Sequence, residues 1–406
     1  MANILFLAHR IPYPPNKGDK IRSWHILEHL LKSHTVHLGY FIDDKKDMVH
    51  TSFLDEHAAS MHFELVSKPG QLLRSLRGFV TGKPQSVVAY PQAKMKAYVR
   101  ELCITQEIDL IYVFSGAMME FVDSALEFDI PYVVDLVDVD SAKWADYART
   151  SIFPLSALYH REAKTLLRYE EHAAKKSWKT FFVSSAEAAL FNRLTNDSLE
   201  DKVDALTNGV DLEKFDPENY KEAKSADTPV VLFTGAMDYK PNVDAVLWFA
   251  SSIWPYVLEK YSEAIFRIAG GPVASEVKKL GSQSNIHVTG YVEDMAQEIA
   301  KADVIVAPLR TARGIQNKVL EGMAMGKAVV ATTLANEGIE AISENTIIIA
   351  DDEHAYADAV LEFIEYTEKA QRIGKNARNF VEAEFAWVRT FAKLDKTISN
   401  LLKEPA

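Results

Sequence analysis

Cysteine is almost missing from this sequence. One residue, Cys103, stands in a chain of 406, which excludes an internal disulfide framework and suits a reducing cytosol. Long apolar runs are missing too: no stretch reaches the roughly 18 consecutive apolar residues that a membrane-spanning helix needs. The opening MANILFLAHR has neither the basic flank nor the apolar core of a secretory signal, so the expected location is cytoplasmic. Basic residues are in deficit, 45 against 57 acidic ones, for a net charge of −12. A nucleic-acid partner is therefore not expected, because neutralising phosphates needs a basic surface. The 12 histidines show no metal-ligand spacing. No GxGxxG follows the first apolar run, which continues as HRIPYPP, and AGGP at 269–272 reads as a strand-end turn. Both argue against a nicotinamide-dependent dehydrogenase.

What is present is alternation. With 48% hydrophobic and 25% charged residues, the chain reads as globular, and its length exceeds what one core usually accommodates. Short apolar runs at 3–9, 34–42, 61–66, 109–115, 131–137 and 179–185 are separated by helix-length amphipathic stretches, with a shorter run at 203–206. The segment 141–176 reads as long and helical. The pattern is that of a parallel sheet with crossover helices. Residues 218–229, ENYKEAKSADTP, are polar and without period, which marks a linker. Alternation then restarts with PVVLFTG, AIFRIAGG, NIHVTG, DVIVAPL, KAVVAT and NTIIIADD, followed by amphipathic helices over about 354–382 and 386–402. The fold class is thus α/β with two Rossmann-like doubly wound domains: an N-terminal domain over 1–217, a C-terminal domain over 218–385, and a final helix, 386–406. Ligands of open α/β sheets sit at the carboxyl ends of the strands, so two facing domains imply a site in the cleft between them.

Within RGIQNKVLEGMAMGKAVVAT (313–332) a carboxylate, Glu321, falls among small and apolar residues, where burying it is costly unless something holds it. Lys318 lies three residues earlier, on the same face of a helix that begins near Gln316 or Asn317. Gly314 permits close backbone approach, and the first helical turn offers N–H groups to an anion. The pairing suits a nucleoside diphosphate, with Lys318 at the phosphates and Glu321 accepting two hydrogen bonds from vicinal ribose hydroxyls. A surface Lys–Glu pair is the bland alternative. At the other end of the chain, Gly18 follows the first strand and opens a helix that contains Arg22, a loop suited to a phosphate or an acceptor, or else a simple turn after PYPP. In PYVVDLVDVDSAKW, Asp135, Asp138 and Asp140 cluster at the end of a strand. Asp138, then Asp135, are candidates to accept a proton from an acceptor hydroxyl, whereas Asp140 and Ser141 read as an N-cap. In SSAEAALF, Glu187 holds a capping-box position.

KVLEGMAMGKAVVAT resembles the second half of the signature of family 4 glycosyltransferases, retaining enzymes of the GT-B fold. TNGVDLEKF, FTGAMDYKPNVDAV, FRIAGG, VTGYVEDM, ADVIVAPL and the N-terminal PYPPNKGDKIR match further blocks in order along the chain. TGAMDYKPNVDAV, ARGIQNKVLE and VVDLVDVDSAKW resemble more closely the sugar transferases associated with exosortase (PEP-CTERM) exopolysaccharide systems. The resemblance implies a nucleotide-diphosphate sugar donor bound mainly by the C-terminal domain, through Glu321, Lys318, Gly314 and the turn at Gly235. It implies a glycan or lipid-linked acceptor on the N-terminal domain, with peripheral association at the inner membrane face compatible with that role, and neither a cofactor nor a metal. Two departures stand out. The family usually carries a second glutamate eight residues before the ribose-binding one, where this chain has Arg313; and of its usual arginine and lysine after the first C-domain strand only Lys240 is available. Arg313 is then a candidate for a phosphate or a charged sugar. Val137 takes the family's histidine slot and Asp138 the aspartate after it. A GT-B nucleotide-sugar 2-epimerase would keep the ribose and diphosphate residues but use no acceptor. A two-domain solute-binding protein would need an export signal.

Overall fold

The computed structural model describes residues 1–122, 128–221, 228–312 and 314–403. The chain forms two compact units, Met1–Leu206 with Phe391–Ala406, and Thr207–Thr390. In the first, strands β1 (Asn3–Ala8), β2 (Thr35–Ile42), β3 (Ser60–Leu65), β4 (Leu110–Phe114), β5 (Tyr132–Val137), β6 (Lys179–Phe182) and β7 (Val203–Ala205) form a parallel sheet. Their order is β3-β2-β1-β4-β5-β6-β7. In the second, β8 (Val230–Thr234), β9 (Ile265–Ala269), β10 (Ile286–Gly290), β11 (Val304–Ala307), β12 (Ala328–Ala331) and β13 (Ile348–Ile349) repeat the plan. That order is β10-β9-β8-β11-β12-β13. Helices cover both faces of a parallel sheet, so its strands are buried on both sides and read as continuous apolar runs. ILFLA of β1 and VIVA of β11 are such runs. Each order reverses beside its first strand, between β1 and β4 and between β8 and β11, and that reversal is where doubly wound sheets place their ligands.

The chain leaves the first unit at Leu206, earlier than position 217. Val210 and Phe215 are buried in the core of the second unit, and the Val210 N–H donates to the Phe385 carbonyl at 2.8 Å. The polar stretch after them therefore lies within the second unit: Pro217–Tyr220 is a short 3-10 turn with Tyr220 packed on the same core. Residues 222–227 of the expected linker lie outside the described residues. The return falls at Thr390/Phe391 rather than 385/386, because Trp387, at the start of the last helix (Trp387–Leu401), packs against Gly209, where a Cβ would lie 2.5 Å from the indole. Farther along, Leu394, Ile398 and Leu401 join the core of the first unit. Two expected long helices are each divided. Helix Asp140–Thr150 stops before Leu155–Lys176 begins, since Pro154 disfavours helical geometry at the residue before it. Glu353–Glu365 and Thr367–Glu384 are separated by Tyr366, whose backbone (φ −106, ψ 73) is not helical.

Candidate functional site

In the second unit the strand ends next to the order reversal converge. The chain leaves β8 through Gly235 (φ 150) and β9 through Gly270 (φ 118), and a Cβ on Gly270 would lie 2.2 Å from the Gly235 carbonyl oxygen. Only glycine permits both the backbone angle and that approach. Two side chains meet at the Gly235 turn. Asn242, from helix Lys240–Trp248, donates through Nδ2 to the Ala236 carbonyl at 2.9 Å and accepts through Oδ1 from Lys318 Nζ at 2.8 Å. A Cβ on Gly235 would meet that Asn242 Nδ2 at 2.7 Å and Lys318 Cε at 3.5 Å. The Lys318 ammonium also lies over the Phe233 ring, 5.0 Å from its centroid. Lys318 and Glu321 project from helix Asn317–Ala324, which follows β11 and the turn at Gly314 (φ 62). Gly338 packs directly on that turn, its Cβ position 2.8 Å from the Gly314 carbonyl.

Burial sets the electrostatics of this pair. Desolvation pushes the Lys318 ammonium down to about 8, against the opposing pull of Glu321. Desolvation likewise pushes Glu321 up to about 7, against the pull of Lys214 and then Lys318. Both groups are held partly discharged, a state that an anion beside Lys318 and hydroxyl donors beside Glu321 would reverse. Lys240 opens its helix with an exposed side chain. The residue of that helix that reaches the turn is Asn242, which the sequence pattern did not single out. Its position in the first turn after Pro241 is the only cue. Arg313 lies outside the described residues.

The first unit places its candidates at the carboxyl ends of β1, β4 and β5. Arg22 and Asp135 are not available there, which corrects the expectation for both. Each is fully buried. Arg22 Nε and Nη2 donate to the two Asp135 oxygens at 2.9 and 3.0 Å, Nη1 donates to the Leu206 carbonyl at 2.6 Å, and the Tyr112 hydroxyl donates to Asp135 at 2.9 Å. Arg22 lies on the buried face of helix Gly18–Ser33 with Trp24, Ile26 and Leu27, and Asp135 is buried in β5. Gly18 is exposed in the first turn of that helix. Beside it, Asp19 binds Arg10 and faces His9 Nε2 at 3.4 Å. Against the desolvation that raises it, the His9 hydrogen bond and the charges of His9 and Arg10 hold the Asp19 carboxyl well below its ordinary range. His9 Nδ1 is buried with no hydrogen-bond partner among the described residues. It is a polar group at the end of β1 that the sequence did not reveal.

Asp138 occupies a different setting from Asp135. The register of β5 against β6 shifts between Asp135 and Val137, and Val137 has φ 69, an outlier for a β-branched residue. Ser115, at the end of the neighbouring β4, also has positive φ, 82. Such strain persists only where the surroundings impose it. Here it turns the half-buried Asp138 out of the strand. Its carboxyl is pushed up to about 7, first by desolvation and then by Glu187 and Asp140. The caps of the following helix differ from expectation. Asp140 is its first residue and caps nothing; Ser141 donates through N–H and Oγ to Glu170 at 3.2 and 2.5 Å, and the Val139 N–H donates to Glu187 at 2.7 Å. Glu187 thus reaches the segment that follows the neighbouring strand, and on its own helix its N–H donates to Ser184 Oγ at 3.2 Å. Among the described residues no group of histidines, cysteines and carboxylates could hold a metal ion, and no helix is long and apolar enough to cross a membrane.

Two doubly wound units with strand-end sites at their order reversals define the GT-B class. Over 98% of this chain and all of the other, the fold matches that of Anabaena HepE, solved in complex with UDP-glucose, with TM-score 0.71 and 17% identity. The sucrose-phosphate synthase of Thermosynechococcus elongatus matches with TM-score 0.73 and 17% identity over 99% of each chain. In sequence, an uncharacterised 44.6 kDa protein in the cps region of Klebsiella pneumoniae is 22% identical over 98% of this chain and its own full length. Residues 228–366 match the family model described as glycosyl transferases group 1. The second unit thus carries a group 1 glycosyltransferase domain, and the chain is a glycosyltransferase.

Proposed function

We propose that this glycosyltransferase is a retaining enzyme that moves a sugar from a nucleotide-diphosphate donor to a glycan or lipid-linked acceptor in exopolysaccharide assembly. The observation that carries the donor side is the convergence of Lys318 and Asn242 on the Gly235 turn, with Glu321 one helical turn along. Lys318 meets the diphosphate, held on target by Asn242; Glu321 takes the ribose hydroxyls; the backbone at Gly235 and Gly314 approaches the phosphates, with Lys240 and Arg313 as further cations. The nucleotide-sugar complex of HepE and the cps-region setting of the Klebsiella relative support the donor class and the polysaccharide role. On the acceptor side, Asp138 receives the acceptor proton and the exposed turn at Gly18 contacts the acceptor. Retention then asks little more of the protein than positioning and stabilising the departing diphosphate. No metal or cofactor enters this reading.

A thermal-shift screen against nucleoside diphosphates and their sugars, followed by transfer assays with the ligand that stabilises, tests it. A ligand at 100 times its Kd adds about 2.7 kcal/mol. An isomerised sugar formed from donor alone would identify an epimerase instead and overturn the proposal. Glu321→Ala is expected to weaken nucleoside diphosphate binding at least about tenfold, since hydrogen bonds to a charged group contribute roughly 1.5–3 kcal/mol each. Unchanged calorimetric affinity would remove Glu321 from the site. Lys318 binds a diphosphate only as the ammonium, so affinity should fall as pH rises through about 8, with proton uptake on binding at and above that pH. In Lys318→Met the fall above about pH 8 should vanish, and the diphosphate should lose far more affinity than the bare nucleoside.

A further inference from the structure

Helices Lys68–Ser75 and Arg77–Thr81 lie between β3 and β4 and take no part in the site described above. Their apolar residues Leu72, Leu73, Leu76, Phe79 and Val80 recur at helical spacing and so share a face. That face looks outward: Leu73 is 71% exposed and Val80 90%. Turned toward the protein instead are Gly78, buried against the Lys83 carbonyl, and Arg74, whose Nε donates to the Ala89 carbonyl at 2.7 Å. The usual amphipathic arrangement is inverted. The patch extends to a second element. Helix Leu155–Lys176 sends Arg161 to the Gly78 carbonyl and over the Phe79 ring, 5.0 Å from its centroid. The turn before that helix adds Ile152, 84% exposed, and Phe153, 81% exposed. Monomeric soluble proteins seldom leave so much apolar surface bare.

Charge identifies the occupant. Residues 65–100 contain seven Lys and Arg and no Asp or Glu, within a chain of net charge −12. Lys68, Arg77 and Lys94 are exposed. An outward apolar helix face with exposed cations, Lys68 and Arg77, on the same helices of an otherwise acidic protein matches the two components of binding to an anionic bilayer. The apolar residues enter the boundary between headgroups and acyl chains, and the cations meet the lipid phosphates. We infer that the outward face of helices 68–81, with the Ile152–Phe153 turn, docks the protein on an anionic lipid surface. The purpose of such docking rests on the lipid-linked acceptor proposed above, because it brings the first unit to a membrane-borne substrate; the geometry rests on the patch alone.

The test is flotation of the full chain with vesicles of phosphatidylcholine, or of an equal mixture of phosphatidylcholine and phosphatidylglycerol, at low and high salt. Binding is expected to the mixed vesicles, weakened by salt. Lys68→Glu with Arg77→Glu should lower partitioning at least about tenfold. Leu73→Glu with Val80→Glu should abolish it, while circular dichroism and nucleoside diphosphate affinity stay unchanged because both positions are exposed. No binding to either vesicle, or equal and salt-independent binding to both, would overturn the inference. So would a concentration-dependent dimer in light scattering that Leu73→Glu dissolves, since the patch would then belong to a second copy. Nucleoside diphosphate binding, measured on the same samples without vesicles, separates this outcome from a failure of the donor assignment.

Discussion

Asp138→Asn is expected to leave nucleoside diphosphate binding unchanged and to slow sugar transfer by about 10²–10⁴-fold, the range lost with a general base. The substitution keeps the shape and removes the proton acceptor. The side chain is aimed by a strained backbone at Val137 (φ 69), and desolvation, then Glu187 and Asp140, push its carboxyl up to about 7. A base works best with such a value, close to the operating pH. Transfer by the wild type should therefore rise with pH through about 7 and level off. A second readout comes from stability. The folded-state value lies above that of an ordinary carboxylate, so the protonated form favours folding, and this contribution is lost as pH rises from about 4 through about 7. The asparagine variant lacks that loss, so its melting temperature relative to the wild type should improve between pH 5 and about pH 8. Wild-type transfer by the variant would remove Asp138 from the chemistry and leave the departing diphosphate as the base.

The strands were legible because each is buried on both faces and so reads as an unbroken apolar run; even the two-residue β13 announced itself through the run in NTIIIADD. Unit boundaries were less so. Polarity marks a segment as exposed, but it does not say which core the neighbouring apolar residues join, and Val210 and Phe215 join the second. At the site, Glu321 and Lys318 stood out because a charged pair in an apolar run has few structural excuses. Asn242 did not, because a lone amide after Pro241 is ordinary helix-start chemistry until its partner is seen. Asp135 and Arg22 show the converse difficulty. A carboxylate in YVVDLV and a guanidinium among Trp24, Ile26 and Leu27 each look functional alone, and 113 residues separate them. Only the fold, which brings Arg22 of the first helix onto Asp135 of β5, shows that each is the other's counter-ion.

That pair supports the second large effect. Arg22→Met is expected to lower stability by about 3–5 kcal/mol, the usual cost of leaving one buried charge without its partner. The Asp135 carboxylate would keep the Tyr112 hydroxyl, at 2.9 Å, as a donor in the pocket. For a unit of this size 1 kcal/mol moves the midpoint by roughly 2–4 °C, so thermal unfolding should come at least about 6 °C earlier. Asp135→Asn should cost less, because it leaves Arg22 its bond to the Leu206 carbonyl at 2.6 Å and offers an amide oxygen in the same place. Converting both, Arg22→Met with Asp135→Leu, should recover much of the loss, since apolar replacement of a whole buried pair is often neutral. The pair also bears on chemistry without touching a reactant. Asp135 precedes the register shift that presents Asp138, and Leu206 is where the chain leaves the first unit. Asp135→Asn should therefore reduce transfer in a folded enzyme at low temperature and leave nucleoside diphosphate affinity in the second unit unchanged. Its pH profile should keep the apparent value of about 7 that belongs to Asp138. If that value disappears in Asp135→Asn and persists in Asp138→Asn, the assignment reverses and Asp135 is the titrating base.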